Sequence, residues 1–273
     1  MPPIATESDN CRVPWADMID TAAREVALRF LSELDEAARG LVAGLHVVGS
    51  AALEDYRAGH SDLDVVVELS GPADPAALAA VHTGPGTAVE ALYVRAGELN
   101  GRVEDVSDGP WANLGVLNTT ERSFQLNPIT WLQLASHAET LRGPAPRPHA
   151  DVEAAKRFCL RNITEYWAPV LDQAKEMLAP LAPDADANAK GVEWIALGPP
   201  RLWHTVRTGE VIGKSQAGLA AAAHWPDLAA ELNDVLAARS GQDVRLTARH
   251  GNAAVALGER VVRELSEVGG TVS

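Results

Sequence analysis

The sequence predicts an α+β fold, with strands confined to the first half of the chain and helices throughout the second. β-branched apolar runs occur only before residue 142, and alanine becomes frequent after it. A segment with three prolines in five residues, Pro144 to Pro148, separates the two compositions. Because proline interrupts regular structure, we place a domain boundary there. One domain is predicted over residues 1–146 and an all-helical domain over residues 147–273.

The elements of the first half follow from apolar periodicity. Apolar residues at three- and four-residue steps indicate a helix, and short apolar β-branched runs indicate strands. We predict a helix over Trp15–Arg39, strands over Leu41–Val48, Asp62–Val67 and Thr87–Val94, a helix over Ala76–Val81, a break at Gly84-Pro85-Gly86, a loop over Glu98–Pro110 and a helix over Ile129–Leu141. Asn113–Asn118 fits either a strand or a buried loop.

The second half consists of amphipathic or alanine-rich segments. We predict helices over Asp151–Met177, Val192–Arg207, Lys214–His224, Leu228–Arg239 and Leu246–Val268, with a loop over Pro180–Asp186. Gly198-Pro199-Pro200 should kink or restart the Val192–Arg207 helix, because proline has no N–H for the helical hydrogen bond.

Composition indicates a soluble globular protein of one large or two ordinary domains, with 273 residues, 47% of them hydrophobic and 22% charged. No apolar run is long enough to span a bilayer, and Met1–Asn10 is too polar for a signal peptide. We therefore expect a cytoplasmic protein. Cys11 and Cys159 are too few for a disulfide framework or a thiolate metal site.

The net charge of −14, from 23 basic and 37 acidic residues, argues against a nucleic-acid partner, because a phosphate backbone requires a basic face. A negatively charged cleft would instead attract a cationic small molecule.

A phosphate-binding turn is predicted at Gly49-Ser50. These residues follow a buried strand that ends at Val48, and Ala51 to Leu53 favour a helix. A strand-to-helix turn offers free backbone N–H groups, a small hydroxyl and the positive end of a helix dipole, which suit a phosphate.

Two aspartates open the next strand. Because side chains alternate along a strand, Asp62 and Asp64 should share one face, about 7 Å apart along the backbone. Two carboxylates at that spacing repel each other unless a cation neutralises them, and Mg²⁺ prefers oxygen ligands. A phosphate turn beside a metal pair indicates nucleotidyl transfer, although each piece alone also occurs as an ordinary turn or strand start.

Gly49-Ser50 followed by Ser61-Asp62-x-Asp64 resembles the signature of the polymerase-β-like nucleotidyltransferases. The resemblance implies a small mixed sheet flanked by helices, two Mg²⁺ ions and a transfer at the α-phosphate that releases pyrophosphate. It also implies a third carboxylate on a neighbouring strand, and Glu90 fits that position. Asp62, Asp64 and Glu90 would then hold the metal ions, and Glu90 would either accept the proton of the acceptor hydroxyl or act only as a ligand.

Arg201 and Lys214 lie on two successive predicted helices, where two cations could reach one ligand. The string Arg-x-Trp-x-Thr…Thr-Gly…Lys around them resembles the helical domain of the bacterial aminoglycoside 3″-nucleotidyltransferases, the streptomycin/spectinomycin adenylyltransferases. This resemblance implies ATP between the two domains, with Arg201 and Lys214 on the triphosphate and Ser50 and Ser61 at the family's serine positions.

The same resemblance implies acceptor-binding residues. A tryptophan of the first domain lines the antibiotic pocket in the family, and Trp111 is the matching candidate here. The family also places acidic residues before the arginine helix. This chain departs from that pattern between residues 184 and 193, where Asp186 and Glu193 are the candidates to substitute.

The sequence therefore predicts a Mg²⁺-dependent adenylyltransferase that moves AMP from ATP to a hydroxyl of streptomycin or spectinomycin, conferring antibiotic resistance. Alternatives are a transferase of the same superfamily that acts on another small hydroxyl compound or on a protein, as antitoxin-like AMP transferases do. A tRNA-modifying member and a regulator that only binds nucleotide are disfavoured by the acidic charge and by the intact carboxylates. We expect a monomer.

Overall fold

The computed structural model describes residues 19–83 and 89–269. Within these ranges a mixed sheet with flanking helices precedes an array of helices, as the sequence predicts. The first half contains α1 (Thr21–Ala37), β1 (Val42–Val47), α2 (Gly49–Ala52), β2 (Leu63–Leu69), α3 (Pro75–His82), β3 (Val89–Arg95), β4 (Trp111–Asn113), β5 (Val116–Asn118), α4 (Pro128–Ser136) and β6 (Glu139–Arg142). The second contains α5 (Val152–Asn162), α6 (Ala168–Leu178), α7 (Ala189–Thr208), α8 (Lys214–His224), α9 (Ala229–Arg239) and α10 (Ala248–Gly269).

We call residues 19–142 the sheet half. Its strands lie in the order β5-β4-β3-β2-β1-β6. Strands β2 and β3 are parallel, and all other neighbours are antiparallel. Helices α1 and α3 cover one face, where Phe30 and Leu78 pack against Val65 and Tyr93. On the other face, Trp131 of α4 packs with Val66 and Leu92. The central strands are buried on both faces, which explains their continuous apolar sequences.

We call residues 152–269 the helical half. Its core forms around α5, α7 and α10, with Ile163, Leu197 and Leu257 fully buried. A π-helical segment, Ile163–Trp167, joins α5 to α6. Trp167 packs so closely on α7 that a Cβ at Gly198 would lie 2.3 Å from the indole ring. Glycine is therefore required at that point in the helix.

Most predicted elements are confirmed; one open alternative is decided, one helix is shorter than predicted, and one helix continues where the sequence predicts a kink or a restart. Asn113–Asn118 belongs to a hairpin whose turn places Leu114 and Gly115 at φ 50° and 77°. The predicted Ile129–Leu141 helix ends at Ser136, and β6 follows it as an edge strand. The helix containing Gly198-Pro199-Pro200 runs without a restart over α7.

The predicted break at Gly84-Pro85-Gly86 lies wholly outside the described residues, as do the first residues of the predicted Trp15–Arg39 helix and Thr87–Val94 strand. Irregular backbone spans residues 143–151, around the predicted domain boundary; the division at residue 146 stays a prediction. Among the described helices, none combines the length and apolarity needed to cross a bilayer.

Candidate active site

A cleft of about 560 Å³ lies between the two halves, within the size range of small-molecule sites. The sheet half contributes the ends of β1, β2 and β3 together with α4, and the helical half contributes α7, the start of α8 and the end of α9. Most of the residues predicted from the sequence line this cleft: Gly49, Ser50, Ser61, Asp62, Asp64, Glu90, Glu193, Arg201 and Lys214.

The turn at Gly49 is shaped around Asp64. Gly49 has φ 65°, and a Cβ there would lie 1.9 Å from Oδ2 of Asp64. The backbone N–H of Gly49 donates to Oε1 of Gln133 over 2.7 Å, and the Ser50 backbone hydrogen-bonds to the Asp64 carboxylate. The predicted strand-to-helix turn is confirmed, but two of the donors expected to be free for a phosphate already have protein partners.

The three predicted metal ligands lie on neighbouring strand ends, and we call them the carboxylate wall. Asp64 and Glu90 are direct partners across parallel strands β2 and β3, and Asp62 precedes β2. Burial raises the pKa of Asp64 to about 6; the charge of Arg201 opposes this shift, and the charge of Asp62 adds to it. Burial and the charges of Asp64 and Asp62 raise the pKa of Glu90 to about 7. The carboxylates are thus held together against their mutual repulsion.

This donor set suits Mg²⁺ in its chemistry. Carboxylate oxygens are the ligands that Mg²⁺ prefers, and a cation would stabilise charged carboxylates that burial and acidic neighbours disfavour. In the described ranges, however, no three His, Cys, Asp or Glu side chains are gathered tightly enough to form a ready ligand cluster. The three residues therefore fit a divalent cation by residue type and by their positions on adjacent strands.

Opposite the carboxylates, Arg201 of α7 and Lys214 of α8 form what we call the cation wall. Burial lowers the pKa of Arg201, and the charges of Asp64 and Asp55 oppose that shift. Burial also lowers the pKa of Lys214, as do the positive charges of Arg201 and Arg239. The cation wall, like the carboxylate wall, collects like charges, which an anionic ligand would relieve.

The other predicted site residues have different surroundings. The Ser61 hydroxyl accepts a 3.0 Å hydrogen bond from the Arg57 backbone, closing the turn before Asp62. Glu193 lines the cleft, but its carboxylate is hydrogen-bonded to Arg239 and His60.

Two of the acceptor candidates, Trp111 and Asp186, are not among the residues that line this cleft, and their role in binding an acceptor stays a prediction. The Trp111 indole donates to the Glu121 carbonyl and stacks edge-on against Phe124, so that Phe124 faces the cleft instead. Asp186 is on the surface, paired with Arg245 beside the bridge that joins it to Thr247.

The cleft also contains residues that the sequence did not reveal. Gln133 of α4 fixes the Gly49 turn and lines the cleft. Arg239 closes one side wall, buried among acidic and hydroxyl groups. Leu114, Phe124 and Trp194 are apolar side chains exposed at the cleft, and Leu114 is 77% exposed in a left-handed conformation. Strained backbone of this kind is frequent at ligand sites.

Comparison with known proteins defines the class. Residues 26–106, which include β1 to β3, Gly49 and the carboxylate wall, match the family model described as a nucleotidyltransferase domain. The chain is thus an enzyme with a nucleotidyltransferase domain at its sheet half. No curated protein sequence matches it.

The fold of the whole chain has a solved counterpart. The structure is similar to the crystal structure of spectinomycin adenyltransferase AAD(9) from Enterococcus faecialis with ATP and spectinomycin. The TM-score is 0.59 at 13% identity, over 87% of this chain and 98% of the other. The match includes the helical half, so the predicted fold class is confirmed for both halves and in the predicted order.

Proposed function

We propose that this protein is a Mg²⁺-dependent adenylyltransferase that moves AMP from ATP to a hydroxyl group of an aminoglycoside-type antibiotic, with streptomycin and spectinomycin as the leading acceptors. The observation that carries the proposal is the pairing of two like-charged walls across one cleft. Cations opposite carboxylates suit a substrate that brings both a polyanion and its counter-cation, as MgATP does. Under this proposal the enzyme confers resistance in the cytoplasm and acts as a monomer.

The residues would divide the work as follows. Arg201 and Lys214 bind the triphosphate, so that the α-phosphorus lies beside Asp64 and Glu90. Asp62, Asp64 and Glu90 would hold two Mg²⁺ ions, which when bound supply charge neutralisation for the phosphates and for the departing pyrophosphate. The acceptor oxygen forms a bond to the α-phosphorus while the bond to pyrophosphate breaks.

Glu90 is our candidate for one of two roles, the group that accepts the hydroxyl proton or a ligand of Mg²⁺ alone. Without metal its pKa is raised to about 7 by burial and by its acidic neighbours. Where Glu90 is not a metal ligand, a pKa near the working pH suits general-base catalysis. Its position directly beside Asp64 would bring the acceptor hydroxyl close to the phosphorus that it attacks.

The acceptor is proposed from charge and from the fold relative. The chain carries a net charge of −14, and Asp62, the one exposed member of the carboxylate wall, lies in the cleft lining. A polycationic compound with hydroxyl groups is attracted to such a cleft. Phe124, Leu114 and Trp194 would cover its apolar ring faces. The AAD(9) relative was crystallised with spectinomycin, which makes this class of compound the first to test.

The decisive experiment measures pyrophosphate release from ATP with streptomycin, spectinomycin, unrelated aminoglycosides and non-antibiotic polyols, each with Mg²⁺ or with EDTA. We expect release only with Mg²⁺ and a hydroxyl acceptor, and a product whose mass has increased by one adenylyl group. Asp64→Asn should slow transfer by about a thousandfold, because several kcal/mol of charge stabilisation is lost.

Asp172→Asn is the matched control, since it removes an exposed carboxylate from α6 far from the cleft, and it should leave the rate unchanged. Release that is equal with and without an acceptor, or transfer that persists in Asp64→Asn, would contradict the proposal. Turnover with a polyol but with no antibiotic would support adenylyl transfer and would contradict the proposed antibiotic acceptor.

A further inference from the structure

Arg239, the last residue of α9, contacts both halves of the molecule although only 4% of it is exposed. Nη2 donates to the side chain and to the backbone carbonyl of Asp55, each over 3.0 Å. Nη1 donates to Glu193 on α7, and Nε donates to the Ser215 hydroxyl on α8 over 3.2 Å. One guanidinium therefore joins the sheet half to three helices of the helical half.

Asp55 is the partner on the sheet-half side, just after α2, and it is 3% exposed. Both the backbone N–H and the hydroxyl of Ser215 donate to its carboxylate. Burial opposes the charged form, but the hydrogen bonds from Ser215 and the charge of Arg239 prevail and lower the pKa of Asp55. A Cβ at Gly213 would lie 2.6 Å from Cβ of Asp55, so the two halves are in close contact here.

Glu193 of α7 links Arg239 to a second residue of the sheet half, His60. Its Oε1 accepts from Arg239, and its Oε2 lies 2.9 Å from Nε2 of His60. His60 belongs to the turn that leads into Asp62. We call Asp55, His60, Glu193, Ser215 and Arg239 the brace.

The brace ends beside both walls of the cleft. His60 is two residues before Asp62, and Ser215 is the residue after Lys214. Its opposite charges are paired within a buried setting, where an Arg or a carboxylate without its partner is strongly destabilising. The arrangement therefore favours one relative placement of the two halves through contacts between protein side chains.

We propose that Arg239 is a positioning residue that holds the halves closed before ATP binds, so that the cation wall already faces the carboxylate wall. The kinetic consequence rests on the proposed adenylyl transfer, whereas the structural consequence does not. If the closed form is fully populated in the free protein, ATP does not have to shift the equilibrium, and its apparent affinity is not reduced.

The test measures closure directly. Paramagnetic labels at Arg29→Cys on α1 and Gln173→Cys on α6, both exposed positions in opposite halves, report the separation of the halves. Cys11→Ser removes one native thiol, and Cys159 is fully buried. The brace variants are Arg239→Lys and the double variant Asp55→Asn/Arg239→Gln. The double variant removes the Asp55 and Arg239 charges together, and Glu193 keeps His60 as its partner, so we expect this variant to fold.

Arg260→Met is the matched control. Arg260 forms a two-point ion pair with Asp227 inside the helical half, at 2.8 and 2.6 Å, and does not line the cleft. Its loss should leave both the label separation and the kinetic constants as in the parent protein.

We expect the free double variant to show a longer and broader label separation, which saturating MgATP shortens again. Its KM for ATP should rise about tenfold with kcat retained, as for a closed form reduced to a tenth of the population. Arg239→Lys should give a label separation and a KM for ATP between those of the parent protein and those of the double variant. A free double variant with the parent separation would overturn the proposal. If the parent protein transfers no AMP, the proposed function fails, and the label separation alone decides the role of the brace.

Discussion

The two walls of the cleft and the brace beside them use the same kinds of charged side chain in opposite ways. In the brace, Arg239 is paired with Asp55 and Glu193, and every charge has an opposite neighbour. In the walls, like charges are grouped, and their pKa values move toward the neutral forms. Paired buried charge thus marks where the chain fixes the arrangement of its own parts, and grouped like charge marks a candidate binding site.

The largest test of that contrast uses Gly49, whose lack of a side chain leaves room for Asp64. Gly49→Ala should lower the free energy of unfolding by about 3 kcal/mol, because it adds backbone strain and a steric clash. It should also slow AMP transfer about a hundredfold by displacing the Asp64 carboxylate. Chemical denaturation and initial rates measure the two effects.

Gly40→Ala is the matched control for Gly49→Ala. Gly40 has a similar φ of 74°, but nothing lies within 4 Å of the added Cβ. Gly40→Ala should lower the free energy of unfolding by about 1 kcal/mol through backbone strain alone, and the variant should retain full activity. Equal losses of activity in the two variants would show that the Asp64 contact has no role.

The cation wall provides the next test. Lys214→Met should raise the KM for ATP by about 10- to 100-fold, because a charged hydrogen bond to phosphate contributes about 1.5–3 kcal/mol. The KM for the acceptor should change little. Lys190→Met removes a cation from the same cleft, about 16 Å along α7 from Arg201, and should leave the KM for ATP near that of the parent. A parallel rise in both KM values for Lys214→Met would contradict its assignment to the triphosphate.

The smallest expected effect concerns Glu90 and pH in metal-free buffer. Its pKa rises from 4.5 to about 7 on folding, so the folded state binds the proton more tightly than the unfolded state. Stability is therefore lost as pH rises from about 4.5 to about 7, and the full penalty remains above that range. Allowing for solvent screening, Glu90→Gln should raise the free energy of unfolding by about 1–2 kcal/mol at pH 8, which corresponds to a rise in Tm of about 4 °C. Below pH 4.5 the substitution should leave the free energy of unfolding unchanged.

Thermal melts with EDTA at pH 4 and pH 8 measure this effect, with the exposed Glu104→Gln as the control. At pH 8, added Mg²⁺ should raise the Tm of the parent protein more than it raises the Tm of the Glu90→Gln variant. Melting curves of Glu90→Gln that follow the parent at both pH values would mean that neither burial nor the acidic neighbours destabilise the charged form of Glu90.

The fold could be predicted where the local pattern determines the structure. The buried strands β1 to β3 are continuous apolar runs, and the helices of the second half follow their periodicity. Strand β6 could not be predicted because its sequence, Glu139-Thr140-Leu141-Arg142, contains two charges in four residues. Those charges are typical of an edge strand, and they pair with Arg24 and Asp35 of α1, which lie more than a hundred residues away in the chain.

The site divides in the same way. Gly49-Ser50, Asp62, Asp64, Arg201 and Lys214 could be found because they occur in short patterns with fixed spacing. The brace could not, since Arg239 and Asp55 are 184 residues apart and no local signal links them. Trp111 and Asp186 are predicted only from their positions relative to a motif. In the structure Trp111 packs edge-on against Phe124, which lines the cleft, and Asp186 pairs with Arg245 on the surface.

The division of the two walls between the two halves limits how the chain can be cut or recombined. A fragment that ends near residue 142 would keep Asp64 and Glu90 crowded together but lose Arg201 and Lys214, which moderate that crowding from across the cleft. Such a fragment would expose the apolar junction around Leu53 and Leu132 as well. Engineering a new acceptor preference is therefore best confined to the rim side chains Leu114, Phe124 and Trp194, which can be exchanged without separating charges that depend on each other.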